Sequence, residues 1–429
     1  MDTLRSKHIY KVKILSPNME VEPGDLVEVK TKKGTFRGIL MPKHEFSNEN
    51  IIVLKLDNGY NIGLIPEEIK CIKKGVRRKK KSLHKFEKKN LPQISVISTG
   101  GTIASYIDYK TGAVHPALTA EELIFSAPEI EEEADIKAFV LFNILSENMN
   151  PLYWIQLARK IKDELKESQG VVIPHGTDTM SYTSAALSFM FSKLSGPVIL
   201  VGAQRSSDRP SSDAYMNLIS AVRVAKSDLG EVAVVMHATT SDDLCFIHRG
   251  TRVRKMHTSR RDAFKSVNSR PLGEVRGNKV IFYEDYRKVE EDAELFDKLD
   301  EKVSLIYYYP GMSEELMTRM LEGMDGAIIM GTGLGHISNE MIPLLKDFIR
   351  DGGVVGMSSQ CIHGRVNLNV YSTGRKLKKI GVIPLEDMLP EVAYVKLMWL
   401  LGNFERDEVI KLLPQNLRGE ISARRMIIW

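Results

Sequence analysis

From residue 94 onward, this 429-residue chain carries a series of short, uninterrupted apolar runs: "ISVIS" (94–98), "GVVIP" (170–174), "PVILVGA" (197–203), "VAVVMHA" (232–238), "VSLIYYY" (303–309), "AIIMG" (327–331) and "VVGMSS" (354–359). A strand with one wet face alternates polar and apolar residues, whereas an unbroken run marks a strand covered on both faces, as in a parallel sheet. Helical spacing fills the intervals: in residues 150–168, Leu152, Ile155, Ala158, Ile161 and Leu165 recur every three or four positions. Strand and helix in alternation predict an α/β fold with a mostly parallel sheet and helices on both sides. The charged stretch "EDYRKVEEDAELFDKLDE" (284–301) separates a larger first set of βα units from a shorter second one, so two lobes are expected.

The first 75 residues follow a different grammar. "PGDLVEVKTKKGTFRGILMP" sets a Pro-Gly turn before short alternating strands, and "NIIVLKLDNGYNIGLI" is two strands around Asp57-Asn58-Gly59, a hairpin signal. With no nucleophile or acid-base cluster, this part reads as a small accessory β-barrel. The next stretch, residues 73–89, holds ten Lys or Arg against one Glu, a local +9, which leaves 5 − 9 = −4 for everything else. The molecule is thus a mildly acidic body with one basic segment, either a solvated linker or a contact for a polyanion such as RNA. The expected organisation is a barrel at 1–75, a basic linker at 76–92, an α/β domain at 93–285 and a second at 300–429.

Several classes are excluded. Among the apolar runs, none reaches the roughly 18 to 20 residues of a membrane helix, and the N-terminus has no signal-peptide pattern, so a cytoplasmic location is expected. Cys71, Cys245 and Cys361 are far apart and odd in number, which reads as buried or inert thiols. No His/Cys cluster has zinc spacing.

Ligands of open parallel sheets bind where strands end and helices begin. Two turns stand out there: Thr99-Gly100-Gly101-Thr102 after the first run, and "HGTDT" (175–179) after the second. Both offer hydroxyls, glycines and backbone N–H groups, and the second adds Asp178. Neither fits the phosphate loop GxxxxGK[ST]. "GTGLGHIS" (331–338) lacks the third glycine of GxGxxG and reads as a tight turn before a helix. "RSSDRPSSDA" (205–214) reads as a polar loop with a helix cap at Ser212 or Asp213 and as a possible wall of the site. A threonine hydroxyl is a weak nucleophile, and needs a neighbouring base and oxyanion donors to act as one.

"TGGTIAS" followed by "HGTDT" resembles the paired signatures of the bacterial-type L-asparaginases, which hydrolyse side-chain amides through a threonine. "SENMN" (146–150), "VGAQR" (201–205), "GTRVRKMHTSRRDAF" (250–264) and "FKSVNSRPLG" (264–273) keep the same order. The resemblance spans roughly residues 93–405. It implies Thr102 as attacking hydroxyl, Tyr109 as the assisting tyrosine of a closing loop, and Thr177, Asp178 and Lys255 as a second polar triad. It also implies Ser146 on the substrate α-carboxylate and Asp178 on its α-amino group. The sequence departs from that family at Glu147, where Gln is usual, and at Leu334, where the family has Asn. No counterpart is found near "VNLNVYST" for the glutamate that a partner protomer donates in those enzymes.

The small β module, the basic linker and the wording "NILSENMNP" and "SQCIHGRVN" resemble a narrower group, the glutaminase subunits of the archaeal glutamyl-tRNA(Gln) amidotransferases. That resemblance implies a two-lobed asparaginase-like body behind the barrel, and release of ammonia from glutamine. It further implies a partner, the amidotransferase's E subunit, which binds tRNA(Gln) and activates the glutamate with ATP and Mg²⁺. No cofactor is implied in this chain itself, but a homodimer and an assembly of two D with two E subunits are. The alternatives are a free-standing cytosolic asparaginase/glutaminase with an extra β domain, and an RNA-binding scaffold with a dead site. Retention of Thr102, Thr177, Asp178 and Lys255 speaks against the scaffold.

Overall fold

The computed structural model describes residues 21–22, 24–41, 50–56, 61–74, 91–101, 105–107, 114–116, 130–205 and 212–424. The chain divides into two compact units, residues 1–87, 105–115 and 206–212 in the first and 88–104, 116–205 and 213–429 in the second.

In the first unit, β1 (Leu26–Thr31), β2 (Gly34–Leu40), β3 (Ile52–Lys55), β4 (Asn61–Leu64) and β5 (Glu68–Lys73) form one antiparallel sheet in the order β4-β3-β2-β1-β5. Alternation turns Val27, Val29, Leu40, Ile52, Leu54 and Ile69 into its core. Lys55 pairs with Asn61, so β3 and β4 are the two arms of the expected hairpin; Asp57-Asn58-Gly59 itself lies outside the described residues. The Asp25 carboxylate accepts from Glu22 N at 2.9 Å and from Lys74 Nζ at 3.0 Å, tying the start of the sheet to the residue after its last strand. Residues 75–90, most of the basic segment, lie outside the described residues.

The second unit begins with β6 (Gln93–Gly100). A short ribbon of β7 (Ser105–Ile107) and β8 (Val114–Pro116) comes next in sequence but groups, but for its last residue, with the first unit. The second unit resumes with α1 (Ile130–Glu133), β9 (Asp135–Ile144), α2 (Pro151–Glu164), β10 (Gly170–Pro174), α3 (Met180–Met190), β11 (Phe191–Lys193) and β12 (Val198–Val201). It continues through α4 (Ala214–Ala225), β13 (Val232–His237), β14 (Leu244–Arg249), β15 (Val253–Lys255), β16 (Phe264–Ser266), β17 (Gly273–Arg276), β18 (Lys279–Phe282) and β19 (Glu294–Leu295). The smaller lobe follows, with β20 (Val303–Tyr307), α5 (Glu314–Leu321), β21 (Gly326–Gly331), α6 (Met341–Arg350), β22 (Val354–Ser359), α7 (Ser372–Lys379), β23 (Ile383–Pro384), α8 (Pro390–Asn403) and α9 (Arg406–Leu412).

All seven apolar runs are strands. The large sheet has the order β18-β17-β14-β13-β12-β10-β6-β9, parallel from β9 to β13 and antiparallel from β13 to β18. The small lobe adds the parallel sheet β20-β21-β22-β23. Neighbouring residues of one strand serve opposite cores: Val171 and Ile173 pack with α2, α3 and α8, while Val172 packs with α4. Burial on both faces is the reason such runs are unbroken, β20 at the edge of its sheet being the exception, with Tyr307 exposed. The first of these cores also takes in Val303, Ile328 and Val354, so the two lobes share it.

Two expectations need correction. Leu152 is 60% exposed, and the buried stripe of α2 runs through Trp154, Leu157, Ala158 and Ile161. Asn150 caps the helix by accepting from Tyr153 N, and Pro151 follows it, so Leu152 lies on the first, solvent-facing turn. Cys361 is exposed, whereas Cys245 is buried and its thiol is pushed up to about 12 by desolvation. The charged 284–301 stretch is extended: within it, β19 pairs with β11 and Val289 N donates to Asp228 O. Among the described residues no helix is long and apolar enough to cross a membrane, and no cluster of His, Cys, Asp or Glu is arranged to hold a metal ion.

Candidate active site

The two glycine turns meet. Gly100 and Gly101 have φ of +103° and +87°, left-handed values that only glycine adopts at little cost, and they swing the chain off the end of β6. A Cβ on Gly101 would sit 2.5 Å from Gly176 N, so the turn after β6 lies directly against the turn after β10. Thr99 is buried, and its Oγ1 donates to Pro174 O at 3.1 Å, stitching the two strand ends together. Thr102 and Tyr109 lie outside the described residues.

On the second turn, Thr177 is buried and Asp178 is exposed. Lys255 reaches them from the end of β15: its Nζ donates to Thr177 Oγ1 at 2.9 Å and to Asp178 Oδ1 at 2.7 Å. Three residues, two of them 78 and 77 positions from the third, thus form one polar cluster at the carboxyl edge of the parallel sheet. An ammonium group has only protons to give, so Thr177 Oγ1 accepts from Lys255 and its own proton points elsewhere. The side chain of Lys255 is 13% exposed and that of Asp178 69%, so the hydroxyl is sequestered while the carboxylate faces solvent. The exposed end of such a pair contributes little stability; its value lies in orientation.

Ser146 arrives from a third direction, in the single turn Ser146–Asn148 after β9. A Cβ on Gly176 would lie 2.6 Å from Ser146 Cβ and 2.9 Å from its Oγ, so only glycine lets the serine approach. Thr179 Oγ1 holds the segment by donating to Ser146 O at 2.8 Å. Ser146 is buried, while Glu147 beside it is exposed.

Further residues support the turns from behind. His175 is wholly buried; its Nδ1 lies 2.7 Å from Gly176 O and its Nε2 2.9 Å from Thr183 Oγ1, which accepts from Trp154 Nε1 at 2.9 Å. Gly176 O can only accept, so Nδ1 carries the proton, and Thr183 donates to Nε2. Burial pushes the ring down to about 4, which keeps it neutral. Gly202, just past the end of β12, backs Thr177: a Cβ there would be 2.7 Å from Thr177 Cγ2. Asp213 is the N-cap residue of α4, one of the two expected positions, but its carboxylate makes no capping bond to the helix and accepts instead from Gln204 N and Arg205 N. Residues 206–211 of that loop lie outside the described residues. Arg252 and Arg254, which flank Lys255, are engaged elsewhere: Arg252 is buried with Asp387 at 3.2 Å, and Arg254 reaches Glu391 at 3.4 Å. His175 satisfies the backbone of its own turn, as its place in "HGTDT" suggests, whereas Gly202 carried no signal because Thr177 is distant in sequence.

Residues 93–288 match the profile of the asparaginase N-terminal domain, and residues 302–413 that of the glutaminase/asparaginase C-terminal domain. Residues 21–74 match the GatD N-terminal domain. Among solved structures, the thermostable L-asparaginase of Thermococcus kodakarensis is 32% identical with a TM-score of 0.71, covering 77% of this chain and 100% of its own. L-asparaginase I of Vibrio cholerae is 31% identical with a TM-score of 0.68, covering 77% and 99%. Fold and matches therefore define a two-lobed protein of the asparaginase class. Curated relatives extend the match to nearly the full length: the glutamyl-tRNA(Gln) amidotransferase D subunit of Pyrococcus abyssi is 53% identical over 417 residues, 94% of this chain and 95% of that one. The D subunits of Pyrococcus furiosus and Saccharolobus islandicus are 54% and 49% identical over 415 and 433 residues. The chain belongs to the family of glutamyl-tRNA(Gln) amidotransferase D subunits.

Proposed function

We propose that this chain is the glutaminase half of a tRNA-dependent amidotransferase that converts Glu-tRNA(Gln) to Gln-tRNA(Gln). The observation that carries this reading is the extent of similarity. Solved asparaginases match 77% of the chain, whereas D subunits match 94% of it. A separate N-terminal profile also falls on residues 21–74.

Glutamine binds by its α-carboxylate at Ser146, beside Glu147, and by its α-amino group at Asp178. The Thr102 hydroxyl attacks the side-chain amide carbon, assisted by Tyr109 or by Lys255 through Thr177, and its proton is relayed to the departing nitrogen. Backbone N–H groups of the glycine turns stabilise the oxyanion. The tetrahedral intermediate expels ammonia after its nitrogen takes up a proton, leaving a γ-glutamyl ester on Thr102. Water then attacks the ester and releases glutamate. The bond between Lys255 Nζ and Thr177 Oγ1 supports this scheme by fixing a hydroxyl at the sheet edge in one orientation.

The assembly follows the same reading: the ammonia goes to the E subunit, which holds tRNA(Gln), ATP and Mg²⁺, in a two-plus-two complex built on a dimer of this chain in the cytoplasm. This chain itself uses no cofactor. Its parts divide as an accessory β-barrel (1–75), a basic linker (76–92), a catalytic α/β domain (93–285) and a second α/β domain (300–429).

Ammonia release from glutamine, measured with and without the E subunit, ATP and Glu-tRNA(Gln), tests the proposal. Thr102→Val is expected to abolish release at unchanged melting temperature. Lys255→Met is expected to lower kcat by about 100- to 1,000-fold, the usual cost of one activating or charge-stabilising group. Full activity in Thr102→Val removes the nucleophile assignment. Rapid asparagine hydrolysis by the chain alone, unaffected by the E subunit, favours a free-standing asparaginase.

A further inference from the structure

A polar chain with a buried centre runs between the two walls of the site, and the reaction scheme above makes no use of it. At its centre is His237, the last residue of β13 and wholly buried. Its Nδ1 lies 2.6 Å from Asn217 Oδ1 and its Nε2 3.0 Å from Asp242 Oδ1. The orientation of Asn217 is fixed independently: its Nδ2 donates to Gly202 O at 2.9 Å and to Asp213 Oδ2 at 3.1 Å, and both are acceptors. The amide therefore presents its oxygen to one ring nitrogen, and the Asp242 carboxylate lies against the other.

Each end of this chain reaches a part of the active site. On one side stands Gly202, whose missing side chain leaves room for Thr177. On the other, Asp242 accepts from Arg261 Nη1 at 2.5 Å, and Arg261 also donates to Thr240 O. Arg261 belongs to the loop between β15 and β16, the hairpin in which Lys255 pairs with Phe264 and Met256 N donates to Ala263 O. Partial desolvation alone would raise the Asp242 carboxyl, but the hydrogen bond from His237 and the Arg261 charge hold it below its ordinary value.

We propose that His237 is a positioning residue for amide hydrolysis, holding the turn behind Thr177 and the hairpin carrying Lys255 in one register through its two ring nitrogens. It touches neither side chain. Its effect is to fix the distance between a hydroxyl and an ammonium that come from strands far apart in sequence. Misplacement of a reacting group by about 1 Å costs up to about 100-fold in rate, which sets the scale of the expected effect.

This inference rests on the glutaminase reading, and its test separates the two. In the full-length protein, His237→Gln and Asp242→Ala are each expected to lower kcat for glutamine by about 10- to 100-fold, with KM changed less than about two-fold. Asp242→Asn, which keeps an acceptor for the ring, is expected to restore most of the rate. The double variant should be no slower than the worse single one, since both break the same chain. Amide hydrogen exchange supplies a readout that needs no activity: in His237→Gln, exchange at Gly202 and at Met256 should accelerate together. A variant with wild-type kcat and unaltered exchange at both amides overturns the proposal. So does one that merely melts earlier while each folded molecule keeps its full rate. If His237→Gln does not fold, Asp242→Ala, at a side chain 64% exposed, decides by the same readouts. A wild-type protein that hydrolyses neither glutamine nor asparagine overturns the glutaminase reading instead, and the exchange measurement still judges the coupling.

Discussion

His175 shows how a single side chain can be chosen for what it does not do. Buried between Gly176 O and Thr183 Oγ1, it holds the turn as a neutral ring, pushed down to about 4 by burial. His248, buried beside Lys265, is pushed down to about 3. Both values lie below the ordinary value of about 6.5 in an unfolded chain, so on acidification the unfolded state takes up protons that the folded state refuses. Their contribution is therefore complete above about pH 6.5 and is lost as pH falls toward about 4, at up to ~1.4 kcal/mol per pH unit for each ring. Glu391 works in the opposite sense, because burial raises its carboxyl. Carboxylates held low by partners, such as Glu133 and Asp262, add their own losses only below the ordinary carboxylate range. Urea midpoints measured between about pH 7 and pH 5 should accordingly fall, and His248→Asn, which cannot titrate, should flatten the slope. An unchanged slope in that variant would assign the pH dependence to other groups.

At the scale of elements, the site is made by glycines that let three turns touch, and they are also what the sequence displayed best. The unbroken apolar runs revealed the parallel strands because two-sided burial leaves no polar positions, and the Gly-rich ends of the first two runs marked where a ligand could approach. What stayed hidden depends on convergence. That Lys255 arrives at Thr177 was legible only through the family resemblance, and nothing local says that His237 lies between Asn217 and Asp242, since these contacts are decided by sheet order. The antiparallel wing β14-β17-β18 was missed because β17 and β18 are four residues each, with half-exposed positions that give no continuous run. Leu152 misled because an apolar residue in the first turn of a helix fits the period without facing the core. The glycine contacts make a definite prediction. Gly176→Ala puts a methyl 2.6 Å from Ser146 Cβ, which must move. If Ser146 binds the substrate carboxylate, KM for glutamine should rise about ten-fold, equivalent to ~1.4 kcal/mol of binding, with kcat less affected. Steady-state kinetics that show a fall in kcat at constant KM would place Ser146 outside the binding of the ground state.

At the scale of the second unit as a whole, one core spans both lobes, and α8 is its central beam, packed on α3 and against β20, β21 and β22. That beam carries a lysine into the interior. Lys396 and Glu420 are both 0% exposed and pair at 2.6 Å, so the segment after α9 is anchored against the helix by a fully buried ion pair. Burial pushes Lys396 down while Glu420 pulls it back up, and the net direction is downward. Glu420 also accepts from Leu417 N at 2.9 Å and from Arg418 N at 2.5 Å, and Lys396 donates to Gln415 O. Removing one partner strands the other charge, so Lys396→Met and Glu420→Met should each cost about 3–5 kcal/mol. The double variant leaves no unpaired charge and should be more stable than the sum of its single losses implies. Recovery must stay incomplete, however, because Leu417 N, Arg418 N and Gln415 O lose their partners, at ~1–3 kcal/mol for each buried group left unsatisfied. Denaturation midpoints of the four proteins in this cycle measure the coupling directly. Strictly additive losses would mean that the pair does not act as a unit, and a double variant matching wild type would mean that the backbone groups around Glu420 find water once the carboxylate is gone.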